Sequence, residues 1–209
     1  MSQALLDGLA GARAGYVLAH GAGAGMTHPF IAAVAKGLAE RSIATLRYEF
    51  PYMQAQLKRP DPPKVAHAAV RAAVVDARER MPNLPLFAGG KSFGGRMTSQ
   101  AQAAEPLPGV RGLVFLGFPL HAAGNPSDER AKHLFDVKVP MLFLQGSRDA
   151  LADLALLEPL VKKLGLRATL EVFEEADHSF HVPAKTGRKD ADLMADLLDR
   201  FAAWAAKVA

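Results

Sequence analysis

The sequence predicts an α/β fold, a mostly parallel central sheet of about six strands with helices on both faces, and three observations predict it. Short apolar or alternating runs recur near residues 15–19, 43–48, 85–89, 112–116, 140–145 and 168–173, each bounded by Gly, Pro or polar turn residues, as buried strands are. Between them, near 29–41, 64–81, 94–104, 151–164 and 189–207, apolar residues return at helical spacing. The two kinds of segment alternate along the chain, and helical crossovers make successive strands parallel and cover both faces of the sheet.

Taken in order, the elements carry their own punctuation. Residues 1–14 leave room for a short extra strand. Tyr16-Val17-Leu18-Ala19 forms the first strong strand and runs into His20-Gly21-Ala22-Gly23-Ala24-Gly25, a loop of small residues before a helix. The second strand ends at Phe50-Pro51-Tyr52-Met53, and Pro60, Pro62 and Pro63 prevent residues 50–63 from being helical throughout. Leu84-Pro85-Leu86-Phe87-Ala88 leads into Gly90-Lys91-Ser92-Phe93-Gly94-Gly95, and residues 96–104 can carry the next helix. After the fourth strand, Gly117 to Lys138 is short, with room for at most one small helix. Val139 to Gln145 is a buried strand followed by the turn Gly146-Ser147-Arg148-Asp149. Ala168 to Phe173 alternates as the last strand, followed by Glu174-Glu175-Ala176-Asp177-His178-Ser179-Phe180. The final helix should pack through Phe201 and Trp204. No repeat, low-complexity tract or linker interrupts the chain, so residues 1–209 read as one domain.

The chemistry begins at Ser92. A serine flanked two residues away on each side by glycine, straight after a strand, has the form of a nucleophile elbow, where the chain turns sharply into a helix. Gly90 and Gly94 lack the Cβ atoms that would collide across such a turn. A serine hydroxyl is a poor nucleophile until a base takes its proton and a carboxylate orients the base. Asp149 and His178 supply those groups in the order nucleophile, acid, base, each in a loop after a later strand. Asp177 and Asp153 are the competing carboxylates: Asp177 adjoins the base in sequence, where its side chain would diverge, and Asp153 falls in the helix after the acid loop. A negative charge developing on a substrate oxygen needs backbone donors. The N–H of Phe93 is one candidate; Ala22 is the other, with Gly23 its neighbour.

Together His20–Gly25, Phe50–Met53, Gly89–Met97, Gly117-Phe118-Pro119-Leu120-His121, Gln145–Asp149 and Asp177–Phe180 resemble the α/β-hydrolase superfamily, and within it a small dienelactone-hydrolase-like group that includes the testis-expressed hydrolase-like proteins. The resemblance runs from the first strand to the last helix. It implies a serine hydrolase fold with Ser92, Asp149 and His178 as catalytic residues; it does not imply a substrate. Dienelactone hydrolases themselves carry a cysteine nucleophile, and this chain has no cysteine. Ser92 in that place favours ester hydrolysis, through an acyl-enzyme, on a small soluble ester. Superfamily members with bulky or lipid substrates often insert a lid where this chain has only the short segment 117–138, so an open mouth is expected. Its walls would be Phe50, Pro51, Tyr52 and Met53, then Phe118, Leu120 and His121, with Phe180 beside the base. Phe50, Tyr52, Phe118 and His121 are the candidate substrate contacts, His121 as a donor to a substrate oxygen; ordinary interior packing is the competing reading for each. Lys91 and Arg96 flank the nucleophile either as a bias toward anionic substrates or as structural ion-pair partners.

Other functions fit less well. Gly90-Lys91-Ser92 echoes the end of a phosphate-binding loop, but its first glycine would fall at Pro85 and no acid for magnesium ends the next strand. Gly21, Gly23 and Gly25 suggest a dinucleotide loop, but its third glycine would fall at Met26. A non-catalytic, scaffold-like descendant of the hydrolase fold is the stronger rival, and the complete set of three catalytic residue types argues against it. The absence of cysteine removes thiol catalysis, disulfides and thiolate metal sites. His178 and His181 have an H-x-x-H spacing without further ligands, so neither metal nor cofactor is expected. The formal net charge of +4 is spread without basic runs, so no nucleic-acid partner is expected either. Half the residues are hydrophobic, enough for one buried core, yet no run is long enough to span a bilayer. With no signal-peptide pattern in Met1 to Gly8, a cytoplasmic location is expected. The oligomeric state is left open.

Overall fold

A computed structural model describes residues 4–209; Met1, Ser2 and Gln3, part of the segment read for a leader, lie outside it. The elements are β1 (Leu5–Asp7), β2 (Ala14–Ala19), α1 (Pro29–Ala39), β3 (Ile43–Tyr48), α2 (Pro51–Gln54), α3 (Pro63–Arg80), β4 (Leu86–Lys91), α4 (Phe93–Ala104), β5 (Val110–Leu116), β6 (Met141–Gly146), α5 (Leu154–Leu164), β7 (Ala168–Phe173) and α6 (Asp190–Val208). The seven strands form one sheet in the order β1-β3-β2-β4-β5-β6-β7. All pairings are parallel except β1 with β3. The optional strand near the N-terminus is therefore real, raising the count from six to seven. It is tied by side chains as well as by the ladder: the Arg47 guanidinium donates to both oxygens of Asp7 at 2.8 and 3.0 Å and to the Met26 carbonyl at 2.9 Å.

The sheet has a core on each face. Ile31, Val34 and Leu38 of α1 and Leu193, Leu197, Phe201 and Trp204 of α6 cover one side. Val70 and Val74 of α3, Met97 of α4 and Leu157, Leu160 and Leu164 of α5 cover the other. Strand burial explains why β2 and β6 read as largely apolar runs, since both are buried at every position; β3 is buried throughout as well, although it carries Thr45 and Arg47.

Local chemistry sets the helix ends. Pro29 and Pro63 stand at the first positions of α1 and α3, where a missing N–H costs nothing. The helix read from residue 151 begins instead at Leu154, because Asp153 caps it by accepting from the Ala155 N–H, and the Leu151 N–H is already committed to Asp149. Between β5 and β6 the chain makes only a 3₁₀ segment, Glu129–Asp136, whose Ala131 and Leu134 are buried in the α3–α4 face.

β2 leads to β3 in one direction along the sheet and β3 crosses back to β4, so β2 and β4 are neighbours whose following helices lie on opposite faces. The crevice beyond their carboxyl ends is a topological switch point, where ligands of open α/β sheets bind.

Candidate active site

Ser92 directly follows β4, between the strand and α4, at that crevice. Its backbone is left-handed, φ 49° and ψ −115°, a conformation that costs a non-glycine residue of order 1–3 kcal/mol unless the surroundings impose it. Here they do. A Cβ on Gly90 would stand 2.1 Å from the Ala19 carbonyl oxygen, and one on Gly94 would stand 2.5 Å from that of His20. The two glycines bring the elbow against the end of β2.

Asp149 and His178 meet Ser92 from two other loops. The loop after β6 places Asp149 with its side chain fully enclosed, and the loop after β7 places His178 about three-quarters covered. His178 Nε2 lies 2.8 Å from Ser92 Oγ, and His178 Nδ1 lies 2.7 Å from Asp149 Oδ2. Asp149 Oδ1 accepts from the Leu151 N–H at 2.8 Å, and its Oδ2 also accepts from Gln145 Nε2. With the carboxylate so held, Nδ1 carries the proton and Nε2 presents its lone pair to the hydroxyl. Neither rival carboxylate occupies this place. Asp177 Oδ1 accepts from the Ser179 and His181 N–H groups and shapes the His178 turn, while Asp153 caps α5. Gln145 was read only as part of the Gln145–Asp149 motif, without a role; its signal is an amide at the end of an otherwise apolar strand, four residues before Asp149.

The loop after β2 forms the opposite wall. The Gly23 N–H donates to Tyr52 Oη at 2.9 Å and is thereby committed, which separates it from Ala22. Ala22 N–H has no acceptor among the described residues, and Phe93, the first residue of α4, has an N–H with no intrahelical acceptor. His20 is wholly buried beneath this loop. Its Nδ1 donates to the Gly21 carbonyl and its Nε2 accepts from the Phe50 N–H, and burial holds the imidazole below its ordinary pKa, hence neutral.

A cavity of about 370 Å³ opens in front of Ser92, lined by Gly21, Ala22, Ala24, His28, Phe30, Ile31, Lys91, Ser92, Leu151, His178 and Ser179. The expected walls are corrected by this lining. Phe50 and Phe118 are fully buried: Phe50 packs edge-on to His20, Tyr48 and Phe93, and Phe118 packs among Phe115, Phe143 and His133, because each ring gains more from the core than from a wet mouth. Tyr52 is behind the wall, anchoring Gly23 rather than touching the cavity. His121 is no free donor: Nδ1 donates to the Ala122 carbonyl and Nε2 accepts from the Asp153 N–H, so both ring nitrogens are spent on the chain. Leu120 is also buried. Phe180, two residues after His178, is buried and stacks on Phe30 with ring centres 5.9 Å apart. Phe30, Ile31 and His28 take the place of the expected walls because α1 starts directly at the cavity edge. No residue of 117–138 lines the cavity, in keeping with the absence of a lid.

The two basic neighbours of Ser92 differ from the ion-pair reading. Lys91 Nζ donates to the His178 carbonyl, and enclosure lowers its pKa to about 8 against the opposing pull of Asp149 and Asp177. Arg96 lies beside Arg130 with no carboxylate partner among the described residues, and burial followed by the Arg130 charge lowers its pKa. His181 pairs with Asp190 at the start of α6, 2.8 Å away.

Comparison with known proteins agrees with this architecture. A lidless α/β serine hydrolase from Xanthomonas campestris superposes with TM-score 0.74 at 23% identity, covering 96% of this chain and 88% of its own. An α/β serine hydrolase homologue from Coxiella burnetii superposes with TM-score 0.75 at 18% identity, covering 94% and 90%. A dienelactone hydrolase from Anabaena variabilis gives TM-score 0.68 at 22% identity, covering 95% and 86%. At these identities the likeness is one of fold. A family model described as an alpha/beta hydrolase domain matches residues 12–206, and with nearly the whole chain matched, the protein belongs to the α/β-hydrolase family.

Proposed function

We propose that the protein is a serine hydrolase, a carboxylesterase of small soluble esters that works through Ser92, His178 and Asp149. The observation that carries this reading is the unbroken chain of contacts from Asp149 Oδ2 through both nitrogens of His178 to Ser92 Oγ, 2.7 and 2.8 Å. Ser92 Oγ attacks the carbonyl carbon of the ester while His178 Nε2 takes its proton, and Asp149 stabilises the imidazolium so formed. The oxygen of the tetrahedral intermediate receives hydrogen bonds from the N–H groups of Phe93 and Ala22, both beside the nucleophile and free of other acceptors among the described residues. His178 then returns the proton to the departing alkoxide, leaving an acyl-Ser92. Water, deprotonated by the same imidazole, attacks this ester; as the acyl–Oγ bond breaks, His178 returns that proton to Ser92 Oγ and the acid is released. No cofactor or metal is needed for any step.

The cavity supports small substrates with an apolar part: Ala22, Ala24, Phe30, Ile31 and Leu151 surround it, in a volume near the lower end of ligand sites. One structural neighbour, a protein from Butyrivibrio proteoclasticus, holds ferulic acid, so a feruloyl ester belongs in the substrate panel. The test is labelling with a fluorophosphonate followed by kinetics on p-nitrophenyl esters of increasing acyl length. The adduct is expected on the peptide containing Ser92, and an adduct solely on Ser99 or Ser179 defeats the assignment. An open site buries little of a long chain, so each added methylene should contribute well below ~0.8 kcal/mol and kcat/KM should peak at about two to four acyl carbons. A steady rise through long-chain esters, or activation by micelles, means that a segment closes over the substrate. A protein inert to every probe is the outcome for a scaffold-like descendant.

A further inference from the structure

Lys91 joins the two halves of the site. It is the last residue of β4, immediately before Ser92, and its side chain passes Gly21, where an added Cβ would touch Lys91 Cγ at 3.5 Å. Its Nζ ends at Gly117, where a Cβ would lie 3.0 Å from Nζ and 3.4 Å from His178 Nδ1 and Cε1. Gly117, at φ +69°, thus leaves one space that the ammonium and the imidazole share. From there Nζ donates a hydrogen bond to the main-chain carbonyl of His178. Two aromatic faces complete the enclosure: the centre of Phe180 is 5.5 Å and that of Phe30 5.9 Å from Nζ, within the range of cation–π attraction.

Such a placement is costly for the fold. Enclosing an ammonium is unfavourable unless charge and hydrogen bonds compensate. The charged groups that face it are Asp149 after β6 and Asp177 after β7, with His178 between them and His28 across the cavity. Neither carboxylate touches Nζ. Asp149 is engaged by His178, Gln145 and the Leu151 N–H, and Asp177 by the Ser179 and His181 N–H groups. An unbranched apolar side chain would fill the same slot between the rings. What it would lose is the bond to the residue that carries the base.

We infer that Lys91 is a positioning residue: its ammonium ties the loop bearing His178 to the strand bearing Ser92, and so holds the imidazole on the nucleophile. This rests on the hydrolase reading above, since a held imidazole matters only if it takes the Ser92 proton. The tie has the right direction, from the strand that leads into Ser92 to the backbone of His178 itself, and it shortens the linkage that otherwise runs through the loops after β6 and β7. Loss of proton above about pH 8 removes the charge and weakens both the carbonyl bond and the aromatic contacts.

The test is the rate of Ser92 modification by a fluorophosphonate, measured from pH 6 to 10 in the wild type and in Lys91→Met, with thermal unfolding as a check of folding. Lys91→Met should unfold as a single native population yet react on the order of ten- to a hundredfold more slowly, as expected when a catalytic group is displaced by a fraction of an ångström to an ångström. With p-nitrophenyl acetate the loss should fall on kcat, with KM changed less than about twofold. The wild-type rate should decline above about pH 8 and the Lys91→Met rate should lack that decline, which a purely structural lysine would not produce. Equal rates for the two proteins, or a wild-type profile level to pH 10, overturn the inference. The wild-type profile decides even if the variant fails to fold. A wild type inert to the probe removes the hydrolase reading and this inference with it; a reactive wild type with an equally reactive Lys91→Met removes this inference alone.

Discussion

At the scale of single residues, the site divides into groups that would meet a substrate and groups that hold them in place. If Ser92, His178 and Asp149 act as a unit, His178→Ala should cost as much turnover as Ser92→Ala, about a thousandfold or more, and Asp149→Asn should cost less than either. Full activity in Asp149→Asn beside an inactive Asp177→Asn would transfer the acid role to the neighbouring carboxylate. Tyr52 makes a separate prediction. Its hydroxyl is the acceptor for the Gly23 N–H, one residue from Ala22, and removing it leaves a backbone donor to find water. Tyr52→Phe should lower kcat by about tenfold while costing folding stability no more than the roughly 0.5–1.5 kcal/mol that a hydrogen bond of this kind contributes. Unchanged kcat in an ester assay would show that the loop after β2 holds its shape without the tyrosine.

At the scale of elements, β2 and β4 form the platform and the helices load them. α6 matters most for the α1 face, because Phe201 is fully buried and meets Tyr16 of β2 edge-on, ring centres 4.8 Å apart, while Tyr16 Oη donates to the Val114 carbonyl of β5 at 2.9 Å. Phe201→Ala should destabilise the protein by about 3–5 kcal/mol in urea unfolding, the usual cost of emptying a phenylalanine site in a core. A loss below about 1 kcal/mol would mean that α6 is held chiefly by its polar face, where Arg200 joins Asp196 to Glu171 of β7. The elements also explain the mistaken walls. The segment from Phe50 to Met53 is near the site, but it turns its rings inward beneath the loop after β2, and the cavity is walled by α1 instead.

At the scale of the whole molecule, the enclosed charge beside the site should be visible in stability against pH. The unfolded chain holds a lysine proton to about pH 10.4, whereas folded Lys91 releases it near 8. Between these values the unfolded state binds more protons, so stability should rise with pH across that window, by at most about 3 kcal/mol. Tyr16 and Tyr48, kept protonated in the fold by burial, act the other way: stability falls as unfolded tyrosines ionise near and above pH 10. Subtracting the pH–stability curve of Lys91→Met isolates the lysine, and a difference curve flat from pH 8 to 10 would contradict its lowered pKa. Among the described residues no helix is long and apolar enough to cross a membrane.

Alternation of apolar runs and helical patterns determined the parallel α/β sheet, because burial on both faces leaves its mark on every residue of a central strand such as β6. The elbow was legible for a related reason: contacts of 2.1 and 2.5 Å tolerate glycine alone, so Gly90 and Gly94 mark Ser92 from the sequence. The order of Ser92, Asp149 and His178 was equally readable, since each follows its own strand. The tertiary structure decided what depends on direction rather than spacing. A ring at a strand end reads the same whether it faces a cavity or the core, which is why Phe50, Phe118 and His121 were misplaced and Phe30 and Ile31 were missed. Lys91 is the sharpest case: nothing local tells that its ammonium reaches across to residue 178, because that contact spans 87 positions and exists only once β4 and the loop after β7 are side by side.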